Sequence, residues 1–414
     1  MPIIAFFREN ARWIAGGFLL NFFSAFGQTF FISLSAGGIR GEYGLSNGQY
    51  GVIYMIATLG SALTLPMLGR IVDHFSVARV TLMIMPVLAL ACALMAVSTW
   101  LPLLLFTIYL LRLFGQGMMT HTAQTAMARW FSGQRGRAVS FTNLGLQGGE
   151  AALPFLFVIL GGAFGWRNTW FFAACAIVAV GLPAILMLMR VERTPRQTDR
   201  PVRHSGARDW TRGEVVRDPV FWMTMLGVLA PGFIATTIFF HQVYLVELRG
   251  WSLTVFAGAF VFSSASCVVA ALITGQLIDK FSAVDLMPYF LLPMACACAV
   301  LAAFSGEWSA FAFMCLLGIS NGVAGTLLGA LWPEVYGLKH LGGIRSIIIA
   351  LTVFGTAMGP GITGYLIDFG VYYPFQIAAM GVYCLLATGL MALVRQRIVA
   401  RNATEPAHGV DPAA

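Results

Sequence analysis

Charge is scarce in this chain of 414 residues: Asp, Glu, Lys and Arg together make up only 10% of it, against about 25% in ordinary soluble proteins. With 58% of residues hydrophobic and a mean hydropathy of +0.80, that scarcity excludes a soluble globular enzyme, a disordered chain and a nucleic-acid binder of the usual kind. Cysteine is nearly as uninformative. The seven cysteines are odd in number, lie in apolar stretches, form no C-x-x-C pair and never sit near a histidine at metal-ligand spacing. A disulfide framework and a zinc site are therefore not expected, and these residues read as small buried hydrophobes. Catalytic signatures are missing too: no H-E-x-x-H and no P-loop. The chain reads as a non-enzyme without metal or cofactor.

What the chain has in abundance is long apolar runs. A membrane-spanning helix takes about 20 such residues, and windows of that size give twelve candidates: 13–36, 47–67, 80–99, 102–127, 138–161, 168–189, 220–245, 253–276, 286–304, 308–331, 346–366 and 372–394. Nine of the twelve contain no Asp, Glu, Lys, Arg or His. The runs are continuous rather than alternating, which predicts helices and not a β-barrel. The apolar run after Arg12 extends to Ala36, too long for a cleavable signal peptide.

The connecting segments fix an expected orientation. With the N-terminus placed inside, the inner segments hold 21 of the 25 Lys and Arg residues, whereas the outer loops hold only Arg40, Arg167 and Arg249. The positive-inside rule then puts both termini in the cytoplasm, in a cell inner membrane. This topology accounts for the net charge of +8 better than a polyanionic partner does. The longest polar interval, 190–218, divides the spans six and six. It predicts an N-terminal six-helix bundle at 1–189, a cytoplasmic linker at 190–218, a C-terminal bundle at 219–396 and a cytoplasmic tail at 397–414.

An internal repeat supports the division. Gly69-Arg-Ile-Val-Asp73-His-Phe-Ser76 follows the second span, and Gly275-Gln-Leu-Ile-Asp279-Lys-Phe-Ser282 follows the eighth, 206 residues on. Gly115-Gln116-Gly117 in the fourth span is matched by Ser320-Asn321-Gly322 in the tenth. Arg137 and Arg345 enter the fifth and eleventh spans in the same way. The expected fold is thus all-α, with twelve transmembrane helices in two pseudo-symmetric six-helix bundles.

The Gly69-x-x-x-Asp73-His-Phe stretch, expected in the loop between the second and third spans, resembles the loop signature of the major facilitator superfamily, and Gly275-x-x-x-Asp279 resembles its second copy. The resemblance covers essentially the whole chain. It implies secondary transport by alternating access, with Gly69, Asp73, Arg79, Gly275 and Asp279 as a gating motif. Ala128-Arg-Trp-Phe131 with Arg135-Gly-Arg137, and Trp332-Pro-Glu-Val-Tyr336-Gly with His340-Leu-Gly-Gly-Ile-Arg345, are similar to loops of the bacterial monocarboxylate and oxalate–formate type carriers.

Only four ionisable residues lie within the spans: Arg112, His121, Glu150 and His241. Such residues are costly in lipid and normally face a cavity or a partner. On a helix turning about 100° per residue, Asn143, Gln147, Glu150 and Pro154 fall within an arc of about 60° on the fifth span. Glu150 lies about 18 Å along that helix, near the bilayer midplane. It is either the proton-coupling site or a structural partner of Arg112. Arg112 shares a face with Gln116, and its planar guanidinium suits a carboxylate; the superfamily pattern implies a role in proton transfer or substrate binding. Asn21 and Gln28 share a face of the first span. With His241, Asn321 and Thr356 from the second half, these residues form the candidate substrate site.

The chain thus reads as a proton-coupled symporter of a small organic anion such as a monocarboxylate. Its expected partners are the solute, protons and membrane lipids, with no nucleic acid, and a monomer suffices. The alternative is a proton-driven efflux antiporter for amphipathic compounds, suggested by 33 Phe and 19 Met. In the superfamily a G-P signature in the fifth span marks proton-driven exporters. Here Pro154 follows Leu153, which favours uptake.

Overall fold

The computed structural model describes residues 3–131, 135–193, 209–337 and 339–404. Among these residues every regular element is helical and there is no strand. Eleven helices are long and apolar enough to cross a membrane: Asn47–His74, Val77–Val97, Leu101–Trp130, Arg137–Phe164, Trp166–Met189, Pro219–Phe240, Leu253–Phe281, Ala283–Ala303, Trp308–Tyr336, Leu341–Asp368 and Tyr373–Arg401. A twelfth span comes first, as the pair Arg8–Gly27 and Thr29–Tyr43 bent by 45°. We number the spans one to twelve in this order. The architecture is the expected one of two six-helix bundles.

Apolar side chains cover the outside of the spans, as lipid requires. Leu63, Met67, Phe375 and Leu386 are each 70–78% exposed, an arrangement that would drive aggregation in water. Where helix backbones approach closely the residue is glycine: a Cβ on Gly145 would collide with Phe18 O and one on Gly318 with Ser263 O.

The chain divides into two compact units. One comprises residues to Val202 with Ile238–Val261 and Pro360–Asp368; the other comprises Arg203–Thr237, Phe262–Gly359 and Phe369–Ala414. The first unit therefore holds, besides spans one to six, one end of each of spans seven, eight and eleven. These ends belong to the face that carries Arg40, Arg167 and Arg249, called here the arginine-poor face. Of the expected linker, residues 194–208 lie outside the described residues, as do residues 405–414 of the expected tail.

Three departures from regular helix bear on function. The first span breaks at Gln28, whose backbone is extended (φ −83°, ψ 153°), after a 3₁₀ turn at Ala25–Gly27. The fourth span contains a π-helical stretch, Leu111–Met119, of the kind that often marks functional sites. The seventh span ends at Phe240, and a short helix, Gln242–Arg249, follows the interruption at His241.

The gating motif is more helical than the sequence suggests. Gly69 N–H donates to Leu65 O at 2.7 Å, which carries helical bonding past the glycine, and Asp73 lies in the short helix Ile71–His74. Gly275 and Asp279 both lie inside the continuous helix Leu253–Phe281. The chain turns only at Phe75–Ser76 and at Ser282, which has a positive φ of 73°.

Candidate functional site

The centre of the first unit is a backbone-to-backbone crossing of spans one and four. A Cβ on Gly27 would collide with Leu111 O and come within 2.7 Å of Gln116 N, and one on Gly115 would come within 2.6 Å of Gly27 Cα. Glycine at both positions permits this approach. The break at Gln28 frees carbonyls that an unbroken helix would use internally. One of them, Gly27 O, accepts a hydrogen bond from Arg112 Nη1 at 3.3 Å.

Arg112, only 3% exposed, is held from two further sides. Its Nη1 donates to Thr29 Oγ1 at 3.3 Å, and its guanidinium lies 5.4 Å from the ring centroid of Tyr54. The hydroxyls of Thr29 and Tyr54 are 2.6 Å apart, and either can donate. Arg112 Nε has no hydrogen-bond partner among the described residues. A buried guanidinium edge without an acceptor is costly, and it is the edge a planar, two-oxygen anion satisfies.

The other polar residues expected in the first half gather near this crossing. Asn21 Nδ2 donates to Thr142 O at 3.0 Å and to Asn143 Oδ1 at 3.2 Å, which joins the polar faces of spans one and five. Glu150, on the same side of span five, is 7% exposed. Gln147 is half-buried on that face, while Gln28 and Gln116 are half-buried at the break and the crossing. In the second unit Asn321 is half-buried on span ten, and Thr356 Oγ1 bonds its own helix at Val353 O (2.9 Å).

Within the first unit the arginine-poor face is closed. Phe240 packs on Tyr54 and Tyr50, with ring centroids 4.7 and 4.9 Å apart. Ser33 Oγ donates to Phe239 O at 2.6 Å. Gln242 Nε2 donates to Phe30 O at 2.8 Å and to Ser33 Oγ at 2.7 Å. His241, 3% exposed, places Nε2 3.2 Å from Pro360 O, so it belongs to this seal. The cavity beside it, lined by Ala36, Arg40, Tyr50 and Phe240 among others, measures about 10 Å³, enough for about one water.

A carboxylate fastens the same face. Asp368, at the end of span eleven, accepts from Ser46 Oγ (2.6 Å), Gly48 N (2.8 Å) and Asn47 N (3.2 Å) at the start of span two. A Cβ on Gly364 would stand 2.6 Å from Asn47 O, and one on Gly48 would stand 2.6 Å from Asp368 Oδ2. Nearby, Arg40 donates to Asn47 Oδ1 at 2.7 Å and lies 3.9 Å from Glu247.

The opposite ends of the spans carry the gating motif. Asp73, Arg79 and Asp279 are exposed, and neither Asp73 nor Asp279 has an ion-pair partner among the described residues. The helix after each copy is capped by a glutamate from elsewhere: Val77 N donates to Glu192 Oε1 (3.0 Å) and Ala283 N to Glu334 Oε2 (2.9 Å). Sequence reasoning missed Thr29, Tyr54, Phe240 and Asp368. Only Asp368, a lone carboxylate just beyond an uncharged span, offered a signal.

Twelve apolar spans in two bundles, a buried cation at a broken helix and a closed seal on one face define a membrane-embedded carrier. Comparison of the sequence places it further: the signature of the Major Facilitator Superfamily matches residues 17–344, and the chain belongs to that superfamily, whose members are transporters and not enzymes. Comparison with curated proteins gives no match. Among solved structures the fold is similar to a bacterial homolog of the human lysosomal transporter Spinster. Its inward-facing, unoccupied form has a TM-score of 0.72 and 16% identity, covering 96% of this chain and 99% of that one. The inward-facing, occupied form has a TM-score of 0.66 and 17% identity, covering 96% of each.

Proposed function

We propose that this carrier moves a small organic anion, of the monocarboxylate type, in symport with protons across the inner membrane, with both termini cytoplasmic. The observation that carries this reading is Arg112: a buried guanidinium at a broken helix, with one edge lacking an acceptor. Spans eight and eleven contain no Lys, Arg or His in the windows 253–276 and 346–366, so Arg112 is the cation to meet an anionic solute. Gln28, Gln116, Asn21, Asn143 and Gln147 supply neutral hydrogen bonds from the first half, and Asn321 and Thr356 from the second, with His241 joining them when the seal in which it bonds Pro360 O opens. Glu150 takes the coupling proton.

The halves 1–189 and 219–396, joined by the linker 190–218, alternate access to this site. Closure of the arginine-poor face together with exposure of Asp73 and Asp279 supports a state in which the gating motif is released. When the opposite face closes, Gly69, Asp73, Arg79, Gly275 and Asp279 become the engaged contacts. A single chain contains all these parts, so it acts as a monomer.

The test is uptake into proteoliposomes with an imposed proton gradient, using labelled lactate, formate and oxalate beside amphipathic cations. Gradient-driven uptake of a carboxylate, lost in Arg112→Gln, is the expected result. Silence with every carboxylate but movement of amphipathic cations makes the protein an efflux antiporter instead.

A further inference from the structure

Tyr54 touches both the candidate anion site and the seal. It is fully buried on span two. Its hydroxyl is 2.6 Å from Thr29 Oγ1, the same oxygen that accepts from Arg112 Nη1. Its ring lies beneath the Arg112 guanidinium and packs against Phe240, centroid to centroid 4.7 Å. Phe240 adjoins His241, which meets Pro360 O, and Gln242, which is bonded to Phe30 and Ser33. The chain Arg112–Tyr54–Phe240 is thus continuous, and every member lies in the first compact unit.

We propose that Tyr54 is a positioning residue that ties the state of Arg112 to closure of the arginine-poor face. This rests on the reading of Arg112 as the anion site. With no solute, Thr29 and the guanidinium pin Tyr54 from two sides, and the pinned ring backs Phe240 in the seal. A carboxylate that takes up the guanidinium draws it from Thr29 Oγ1 and from the ring face. Both attractions that fix the ring weaken together, and the seal loosens. Closure is therefore tighter with the site empty than with it loaded, and an anion bound at Arg112 lowers the barrier to opening this face. A cation held by one carbonyl, one hydroxyl and an aromatic face, rather than by a carboxylate, suits this task, because a solute anion displaces weak neutral partners and no competing charge.

The test is a double-mutant cycle read at the seal. Ala36, which is 5% exposed and lines the small cavity beside Phe240, is replaced by cysteine in the full-length protein in proteoliposomes. Its reaction with an impermeant maleimide from the arginine-poor face is followed by peptide mass spectrometry, so the native cysteines do not interfere. Arg112→Gln and Tyr54→Phe are each expected to raise the labelling rate about fivefold, and the double variant by about fivefold rather than 25-fold, the signature of residues acting through one another. Additive effects, or singles that leave the rate unchanged, overturn the proposal. Thr29→Val, which deletes the shared hydroxyl, repeats the test if Arg112→Gln fails to fold.

Lactate and oxalate are then added. Faster labelling of the otherwise unaltered protein, lost in Tyr54→Phe, is expected. If neither acid changes labelling while the cycle stays non-additive, the anion reading fails and the positioning role of Tyr54 stands. If the acids raise labelling equally with the tyrosine present and in Tyr54→Phe, the anion reading stands and the positioning role is overturned.

Discussion

An arginine near the middle of a membrane helix costs about 2.5–3.5 kcal/mol on insertion scales, and Arg112 recovers part of this through two hydrogen bonds and one aromatic face. Both bonds leave from Nη1, and Nε has no partner among the described residues, so an edge of the planar fork is left for a two-oxygen anion. Lysine at 112 keeps the charge but presents a compact ammonium with no such edge. Arg112→Lys is therefore expected to lower carboxylate uptake at least tenfold, about 1.4 kcal/mol, with the folded yield unchanged; initial uptake rates in proteoliposomes against protein recovered check it. Arg112 and Glu150 were legible in the sequence because a charge stands out in an apolar span. Thr29 and Tyr54 were not, because a hydroxyl and one ring among many aromatics carry no mark until the fold brings them to the same cation.

Elements show the same division between what periodicity reveals and what packing decides. The twelve spans follow from run length, since a bilayer demands about 20 apolar residues. The break at Gln28 does not follow, because residues 13–36 are apolar on both sides of it; what opens the helix is the crossing with span four, where Gly27 meets Gly115. Gly27→Ala places a methyl against Leu111 O and Gln116 N, both backbone atoms that cannot move aside. It is expected to destabilise the protein by about 2–3 kcal/mol, read as a lowered thermal midpoint in detergent. Gly115→Ala, which meets Gly27 from the other side, should do the same, and the two changes together should fall short of the sum.

Asp368 shows how one element fastens another. Its carboxylate lies at the positive end of span two and accepts from two backbone N–H groups and the Ser46 hydroxyl. Asparagine there removes the charge but keeps the shape, at a cost of about 1–2 kcal/mol from the helix-end and charge-assisted terms. Hydrogen exchange of the peptide containing Asn47 and Gly48 is expected to quicken about tenfold in Asp368→Asn. Unchanged exchange would show that the glycine contacts alone hold span two to span eleven. The sequence placed the gating motif in a loop at the opposite ends of the spans; Asp73 and Asp279 instead stand on helical extensions, exposed, where a carboxylate projects from a rigid element.

For the molecule as a whole, the proposed symport requires that proton and solute be linked across one conformational cycle, and in that proposal the two buried charged groups of the first half divide the work. Arg112 is met by Gly27 O, Thr29 Oγ1 and the Tyr54 ring, all neutral, and is the group proposed to meet the solute. Glu150, 7% exposed on span five, is the group for which a proton changes the cost of crossing the bilayer, since the charged carboxylate is expensive there and the neutral acid far less so. Glu150→Gln fixes the neutral form while keeping size and hydrogen-bonding capacity. Solute exchange between two equally loaded sides needs no net proton movement and should persist near the unaltered rate. Accumulation against a solute gradient needs the proton to leave on one side and return on the other, and it should vanish. Counterflow and gradient-driven uptake measured on the same proteoliposomes separate the two. Loss of both makes Glu150 a structural group of span five, and retention of both moves the coupling proton elsewhere in the chain.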